Sequence, residues 1–215
     1  MFANIEKVNV LPETIIKLSY NFSFERTLKT KCDETIGYSS NHTEKVPLEH
    51  GNATSTVLHN VNGQPHTWTE NKRFVEFLYA NIPAILNEFQ LIEQPISIVQ
   101  SWINRHSTGG ETLEHNHHSV DLVVSSYLFC PPNSGNLLIR DPLEYHNWCS
   151  FRKPSPSEKY PYPWLEVPVK TNDVLIFPGW LMHKTEKSKT EVDRYVMTIN
   201  LKYGMTDPMM SPGMT

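Results

Sequence analysis

Two histidines near the middle of the chain have a spacing suited to metal binding. His115 and His117 are two residues apart. In an extended segment such residues project from the same face, so both imidazoles can bind one divalent ion. A third ligand must then come from elsewhere in the sequence. The best candidate is His183, because it stands at the end of a second apolar, strand-like segment, 173–183.

An arginine that follows these histidines points to an anion. Arg194 alternates with Val196 and Thr198 along an apolar segment, so the three side chains share one face of a strand. A guanidinium on the inner face of a barrel is costly unless an anion pairs with it. A carboxylate would do so with paired hydrogen bonds. The pattern therefore predicts a carboxylate-bearing ligand.

Short strands, rather than alternating strands and helices, are expected to position these residues. Between residues 96 and 203, segments of β-branched and aromatic residues follow one another and are separated by turn-forming residues. This order predicts an antiparallel sandwich or squat barrel with the histidines at its open mouth. Residues 69–90 carry apolar side chains at helical spacing and predict a supporting helix, with a break near Asn81 because Pro83 follows.

The remaining segments have weaker patterns. Residues 1–68 are expected to form strands and loops, and within them 27–55 has the least periodic pattern. The connection 141–167 interleaves aromatic residues with prolines, which is typical of an irregular loop at the edge of a site. The tail, 204–215, is expected to be loosely ordered. The length of 215 residues favours a single domain, 1–215.

Composition narrows the class of protein. The formal net charge of -4 indicates no general affinity for nucleic acid or for acidic membrane surfaces. No apolar run approaches the roughly 20 residues that cross a bilayer, and the first ten residues do not resemble a secretory signal. Three irregularly spaced cysteines argue against a disulfide framework and favour a reducing compartment. We therefore expect a soluble, cytoplasmic protein, and dimerisation stays open.

Together these motifs resemble the iron(II)- and 2-oxoglutarate-dependent oxygenase superfamily, and most closely a branch of bacterial and phage oxygenases. The resemblance spans roughly residues 96–203, and both order and spacing agree. The segments that carry it are Ser101-Trp102-Ile103-Asn104, His115-Asn116-His117, Tyr127, Ser134-Gly135, Asp141-Pro142, 173–183 and Arg194.

The resemblance implies a fold and a reaction. The fold is mainly β with a flanking helix, and its core is a double-stranded β-helix of the jelly-roll or cupin-like kind. The reaction is that of a dioxygenase, expected to be a hydroxylase, which couples the oxidative decarboxylation of 2-oxoglutarate by dioxygen to the oxidation of a primary substrate. Family analogy favours a protein or peptide as that substrate.

The resemblance also implies roles for individual residues. His115, His117 and His183 would hold Fe(II), and Arg194 would bind the distal carboxylate of 2-oxoglutarate. The residues expected to assist in binding 2-oxoglutarate are Tyr127, Asn104 and Thr198. Trp102 is expected to line the substrate pocket.

The chain departs from the superfamily at one ligand. Most members complete a set of two histidines with a carboxylate, whereas this sequence has His117 at that position. Asp121 could supply the carboxylate if the strand bulges, and His118 is a less likely substitute because its side chain would point away from the face of His115 and His117. The sequence favours the three histidines over a set that contains Asp121.

Two other classes of protein share part of this pattern. A cupin-type enzyme with three histidines, such as a thiol dioxygenase or an isomerase, would not use 2-oxoglutarate, and Arg194 argues against it. A jelly-roll binding protein could hold a structural metal such as zinc. Structural zinc sites are closed by four ligands, whereas three ligands at a barrel mouth indicate an open site.

Overall fold

The computed structural model describes residues 6–10, 13–42, 46–144 and 163–204. The strands in this part of the chain are β1 (Glu6–Val10), β2 (Glu13–Ser19), β3 (Glu49–His50), β4 (Ala53–Ser55), β5 (Ile96–His106), β6 (Glu111–Thr112), β7 (Leu122–Phe129), β8 (Leu137–Arg140), β9 (Trp164–Val167), β10 (Asp173–Pro178), β11 (His183–Thr185) and β12 (Arg194–Tyr203). The helices are α1 (Arg26–His42) and α2 (Lys72–Glu88). Two 3-10 turns, Pro65–Thr67 and Thr69–Asn71, directly precede α2. Most of the connection 141–167, the third cysteine, Cys149, and the tail after residue 204 lie outside the described residues.

The strands form a double-stranded β-helix. The larger sheet has seven strands in the order β1-β2-β10-β7-β12-β5-β4, and a three-stranded sheet has the order β11-β8-β9. Every strand pairing that the structure describes is antiparallel. Buried residues of β7, β10 and β12 pack against those of β8 and β9 in one apolar cluster between the two sheets. The predicted fold class, mainly β with a double-stranded β-helix core, is confirmed.

Alternation along the central strands separates a helix-facing side from an inner side. A second apolar cluster joins the outer face of the large sheet to both helices, as expected for an amphipathic helix that lies against a sheet. The opposite side of β12 faces the space between the sheets and is partly polar. Its inward residues are Arg194, Val196, Thr198 and Asn200, and its outward residues are Tyr195, Met197, Ile199 and Leu201.

Helix α2 runs through Pro83 without interruption, so the predicted break near Asn81 is wrong. A proline inside a helix removes one backbone hydrogen bond and normally kinks or ends the helix. Here Leu78, Ile82 and Ile85 are buried on both sides of the proline, and their packing keeps the helix on the sheet. Neither helix of the described chain is long and apolar enough to cross a membrane.

Helix α1 corrects the assignment of residues 1–68 to strands and loops. Its buried face includes Leu28, Cys32 and Ile36, but also Thr35 and Ser39, so the apolar periodicity is incomplete in the sequence. The buried hydroxyls are satisfied locally or across the fold. Thr35 donates to the carbonyl of Lys31 (2.8 Å), and Ser39 donates to the carbonyl of Ser55 (3.0 Å). Small polar residues at buried positions therefore concealed the helix.

Candidate active site

The three predicted metal ligands come together at one end of the β-helix. His115 and His183 form an isolated antiparallel bridge, in which each backbone N–H donates to the other's carbonyl at 2.9 Å. His117 donates its backbone N–H to the carbonyl of Gly179 at 2.8 Å. Gly179 has no room for a side chain, because a Cβ there would lie 2.1 Å from the carbonyl oxygen of Val120. This close backbone contact brings the turn after β10 against the His115–His117 segment.

The imidazoles form a compact group. The candidate ligand atoms of His115, His117 and His183 all lie within 4.8 Å of one another. Their ring centroids are 4.3 to 5.2 Å apart, and Trp102 stacks on the ring of His117 at 5.6 Å. His117 and His183 are buried, and His115 is only partly exposed. The group therefore has the size and the open side that a catalytic metal needs.

Hydrogen bonds fix the same tautomer on all three rings. Nδ1 of His115 donates to the carbonyl of Leu113 and Nδ1 of His183 donates to the carbonyl of Leu181, both at 2.8 Å. Nδ1 of His117 donates to Oδ1 of Asn200 at 2.7 Å. Each Nε2 is therefore unprotonated and keeps its lone pair for a metal. Such outer hydrogen bonds orient the histidine ligands of metal sites.

Burial keeps this group uncharged in the absence of a metal. It lowers the pKa of His117 to about 4 and that of His183 well below its usual value, and it lowers the pKa of His115 as well. At His117 and His183 the nearby imidazoles add to the effect, because a second positive charge at such short range is unfavourable. Neutral imidazole is the form that binds metals.

Asp121 lies outside the cluster. Its carboxylate accepts a hydrogen bond from the backbone N–H of Tyr203 at 2.7 Å, and it is not a member of the group whose atoms could hold one metal. His118 is exposed and also lies outside that group, although it lines the cavity. Among the described residues, the geometry supports the three histidines rather than a set with Asp121.

Arg194 is fully buried in the same cavity. Nη1 donates to the carbonyl of Gly135 at 2.6 Å and Nη2 donates to Nδ1 of His106. The buried Nε has no hydrogen-bond partner among the described residues. Burial lowers the pKa of Arg194, and both of its hydrogen-bond partners are neutral groups. A guanidinium in this state is well suited to receive an anion.

The other predicted residues line the cavity between Arg194 and the histidines. Tyr127 is buried, and burial raises the pKa of its hydroxyl while the charge of Arg194 opposes that change. The hydroxyl therefore stays protonated and can donate a hydrogen bond. The Nδ2 of Asn104 donates to Oγ1 of Thr198 at 3.4 Å. Trp102 closes the wall beside His117.

Sequence reasoning missed three residues of the site. Asn200 extends the alternation of Arg194, Val196 and Thr198 by one step, and His106 extends that of Trp102 and Asn104 in the same way, so a longer reading of either pattern would have found them. The third is Glu49, which lies 3.3 Å from Nε2 of His106. It belongs to a two-residue strand in a region without periodic pattern, and no sequence signal pointed to it.

Residues 100–200 match a family model described as putative 2OG-Fe(II) oxygenase. This matched segment, 101 of the 215 residues, is that of a 2OG-Fe(II) oxygenase domain. None of the curated proteins matches its sequence.

Solved structures show the same fold as this oxygenase at low sequence identity. HygX from Streptomyces hygroscopicus, with nickel, 2-oxoglutarate and hygromycin B bound, is 14% identical with a TM-score of 0.52, covering 88% of this chain and 83% of its own. A prolyl-4-hydroxylase from Pseudomonas putida is 10% identical with a TM-score of 0.57, covering 92% and 96%. The carbocyclase SnoK from nogalamycin biosynthesis is 13% identical with a TM-score of 0.60, covering 88% and 79%.

The oxygenase is thus a 2-oxoglutarate-dependent dioxygenase whose cofactor is Fe(II) and whose co-substrates are 2-oxoglutarate and dioxygen. The residues present fit these groups. Three histidine nitrogens with free lone pairs suit a divalent metal, and the buried Nε of Arg194, which has no hydrogen-bond partner among the described residues, suits a carboxylate.

Proposed function

We propose that this oxygenase is a hydroxylase that holds Fe(II) with His115, His117 and His183 and binds the distal carboxylate of 2-oxoglutarate with Arg194. One observation carries the proposal. Three imidazoles whose candidate ligand atoms lie within 4.8 Å of one another share a cavity with a fully buried guanidinium whose hydrogen-bond partners are neutral. A metal site and a carboxylate site in one cavity match the two ends of a chelating 2-oxo acid.

The chain's own residues bind and orient the co-substrate. Fe(II) with 2-oxoglutarate supplies the oxidising chemistry when both are bound. Arg194 fixes the far end of the 2-oxo acid by charge-assisted hydrogen bonds, and this orients the end that chelates the metal. The protonated hydroxyl of Tyr127 and the side chains of Asn104 and Thr198 line the same cavity and supply further hydrogen-bonding groups.

The primary substrate is proposed to be a protein or peptide side chain. The lining of the cavity includes Trp102, Val57 and Leu48 together with the amide of Asn116, and among the described residues its only Asp, Glu, Lys or Arg side chains are Glu49 and Arg194. A mostly uncharged lining suits hydroxylation of a neutral side chain. The named structural relatives include a prolyl hydroxylase, but also a carbocyclase, so their likeness does not select a substrate.

A second candidate follows from the three-histidine set. Without a carboxylate ligand the metal keeps its full charge, as in cupin-type enzymes that act without 2-oxoglutarate. In that case Arg194 would bind the carboxylate of the primary substrate itself. The two candidates differ in whether 2-oxoglutarate binds and is consumed.

Anaerobic titration separates the two candidates. Fe(II) and 2-oxoglutarate are added to the metal-free protein without oxygen, and the visible charge-transfer band of the chelate is followed. Oxygen is then admitted and succinate is measured. The wild type should give both the band and succinate. Arg194→Met should weaken 2-oxoglutarate binding by about 30-fold or more, from the loss of charge-assisted hydrogen bonds, and should leave Fe(II) affinity unchanged.

The matched control is Arg105→Met. Arg105 lies on the same strand pair as Arg194, but it is partly exposed and near Asp193 on the surface, so this variant should behave like the wild type. A wild type without band or succinate, or equal binding of 2-oxoglutarate by wild type and Arg194→Met, would overturn the proposal.

A further inference from the structure

A buried histidine accepts a hydrogen bond from the guanidinium of Arg194. His106 is the last residue of β5 and lies directly opposite Arg194, the first residue of β12, in the strand register. Its Nδ1 accepts the hydrogen bond from Nη2 of Arg194. The carbonyl of Gly135 accepts from the other terminal nitrogen, Nη1. Two acceptors on different nitrogens fix the plane of the guanidinium, which a single acceptor would not do.

The tautomer of His106 is set by residues on its far side. Nε2 lies 2.9 Å from Oγ1 of Thr112 and 3.3 Å from Oε2 of Glu49. The Thr112 hydroxyl in turn lies 3.2 Å from Oε1 of Glu49. A carboxylate only accepts hydrogen bonds, so the proton of His106 is on Nε2 and the lone pair is on Nδ1. Burial and the charge of Arg194 lower the pKa of His106, so its contact with Glu49 is a hydrogen bond to a neutral ring rather than an ion pair.

A short strap brings Glu49 to this position. Strand β3, Glu49–His50, pairs with β6, Glu111–Thr112, and glycine backbone contacts hold the two segments together. Gly51 has a positive φ of 62°, and a Cβ there would lie 2.2 Å from the carbonyl oxygen of Gly109. Only glycine accommodates both features. Residue 49 lies outside the segment 100–200 that matches the family, so this support comes from a different part of the chain.

We propose that His106, held in one tautomer by Glu49 and Thr112, is a positioning residue that aims Arg194 at the distal carboxylate of 2-oxoglutarate. This inference rests on the proposed function of Arg194. The guanidinium has five N–H donors. Gly135 and His106 take one each on the terminal nitrogens, so the Nε–H and one N–H on each terminal nitrogen are left for a ligand carboxylate. Loss of the His106 acceptor would let the guanidinium rotate and would misalign these donors.

Two substitutions at residue 106 test this role. In His106→Asn the amide oxygen lies near the former Nδ1 and can still accept from Arg194. In His106→Gln the amide lies near the former Nε2, so the contacts with Glu49 and Thr112 are retained and the acceptor for Arg194 is lost. Both variants keep a polar side chain of comparable size in the buried site, and their comparison is therefore less sensitive to a general loss of stability. His50→Gln is the matched control, because His50 also pairs with a glutamate, Glu111, but is exposed.

The readout compares two acids by calorimetry on the Fe(II)-loaded protein without oxygen. One is 2-oxoglutarate, and the other is 2-oxopentanoate, which has the same chain length but lacks the distal carboxylate. His106→Gln should weaken 2-oxoglutarate binding by about 10-fold or more and should change 2-oxopentanoate binding by less than about 3-fold. His106→Asn should recover most of the lost affinity. In an Arg194→Met background, His106→Gln should cause no further loss, since the two residues act as one unit.

Three results would overturn the inference. His106→Gln could bind 2-oxoglutarate as tightly as the wild type, it could weaken both acids equally, or it could bind 2-oxoglutarate at least as tightly as His106→Asn. A different result identifies a failure of the proposed function instead: the wild type itself would not prefer 2-oxoglutarate to 2-oxopentanoate, so Arg194 would not bind the distal carboxylate at all.

Discussion

The two ends of the cavity are supported in different ways. At the metal end, His115 and His183 each donate to the carbonyl of the residue two positions earlier, Leu113 or Leu181. At the Arg194 end, the contacts that hold the guanidinium join residues 57, 59 and 88 positions apart in sequence. Two of the three imidazoles at the metal end are thus oriented by local hydrogen bonds, whereas the contacts that hold Arg194 form only when distant segments pack together.

This difference predicts which functions are separable. Local hydrogen bonds orient the rings of His115 and His183, but the orientation of Arg194 depends on β5, β12, the turn at Gly135 and the strap at Glu49. Substitutions at the Arg194 end should therefore spare metal binding, while substitutions at the metal end should affect both ligands, since 2-oxoglutarate chelates the metal.

The largest effect is expected from His183→Ala. This variant removes one of the three proposed ligands. Because loss of an outer hydrogen bond alone costs roughly 10- to 100-fold in metal affinity, loss of a ligand should cost more than about 100-fold. Binding of 2-oxoglutarate should fall with it. Anaerobic Fe(II) titration against a chromophoric chelator measures the first quantity, and calorimetry measures the second.

His59→Ala is the matched control for that variant, because it makes the same change at an exposed histidine outside the cavity. It should bind both ligands like the wild type. If His183→Ala kept wild-type Fe(II) affinity, the assignment of His183 as a ligand would be wrong. The histidine end of the cavity could then not be compared with the Arg194 end as a metal site.

The same contrast explains what the sequence could predict. The strand-like patterns around His115, His117, His183 and Arg194 are local, and the structure brings these residues into one cavity; their roles as ligands stay predictions. Glu49 could not be placed, because a two-residue strand has no periodicity, and its contact with His106 depends on how the strap packs on β6. Helix α1 was missed for a related reason. A helix is recognised in a sequence by apolar residues at its buried positions, and in α1 two of those positions hold Thr35 and Ser39.

A moderate effect is expected at Asn200, the one outer partner at the metal end that is distant in sequence from its histidine. Asn200→Ala removes the acceptor for Nδ1 of His117, so the ring is no longer held in the ligand tautomer and orientation. Fe(II) affinity should fall by roughly 10- to 100-fold. Asn200→Asp keeps an acceptor and should stay within about 3-fold of the wild type. The measurement is the same anaerobic titration.

Equal Fe(II) affinity in Asn200→Ala and the wild type would show that His117 does not depend on this bond. In that case no ring at the metal end would depend on a side chain that is distant in sequence, and the contrast with the Arg194 end would be sharper. A loss in Asn200→Asp as large as in Asn200→Ala would instead indicate that the packing of the amide, and not its acceptor, is what His117 needs.

The smallest effect on metal binding is expected from Asp121→Ala. The carboxylate of Asp121 accepts from the backbone N–H of Tyr203, so its loss leaves that N–H without its acceptor and should lower the free energy of unfolding by about 1 to 2 kcal/mol. Asp121→Asn keeps an acceptor and should recover part of that stability. Urea unfolding measures the stability, and Fe(II) affinity should stay within about 2-fold in both variants.

A loss of Fe(II) affinity in Asp121→Ala comparable to that in His183→Ala, together with normal binding in His117→Ala, would mean that a carboxylate completes the metal site after all. Because the three-histidine set predicts a change in stability without a change in affinity, the two measurements on this variant distinguish the ligand sets.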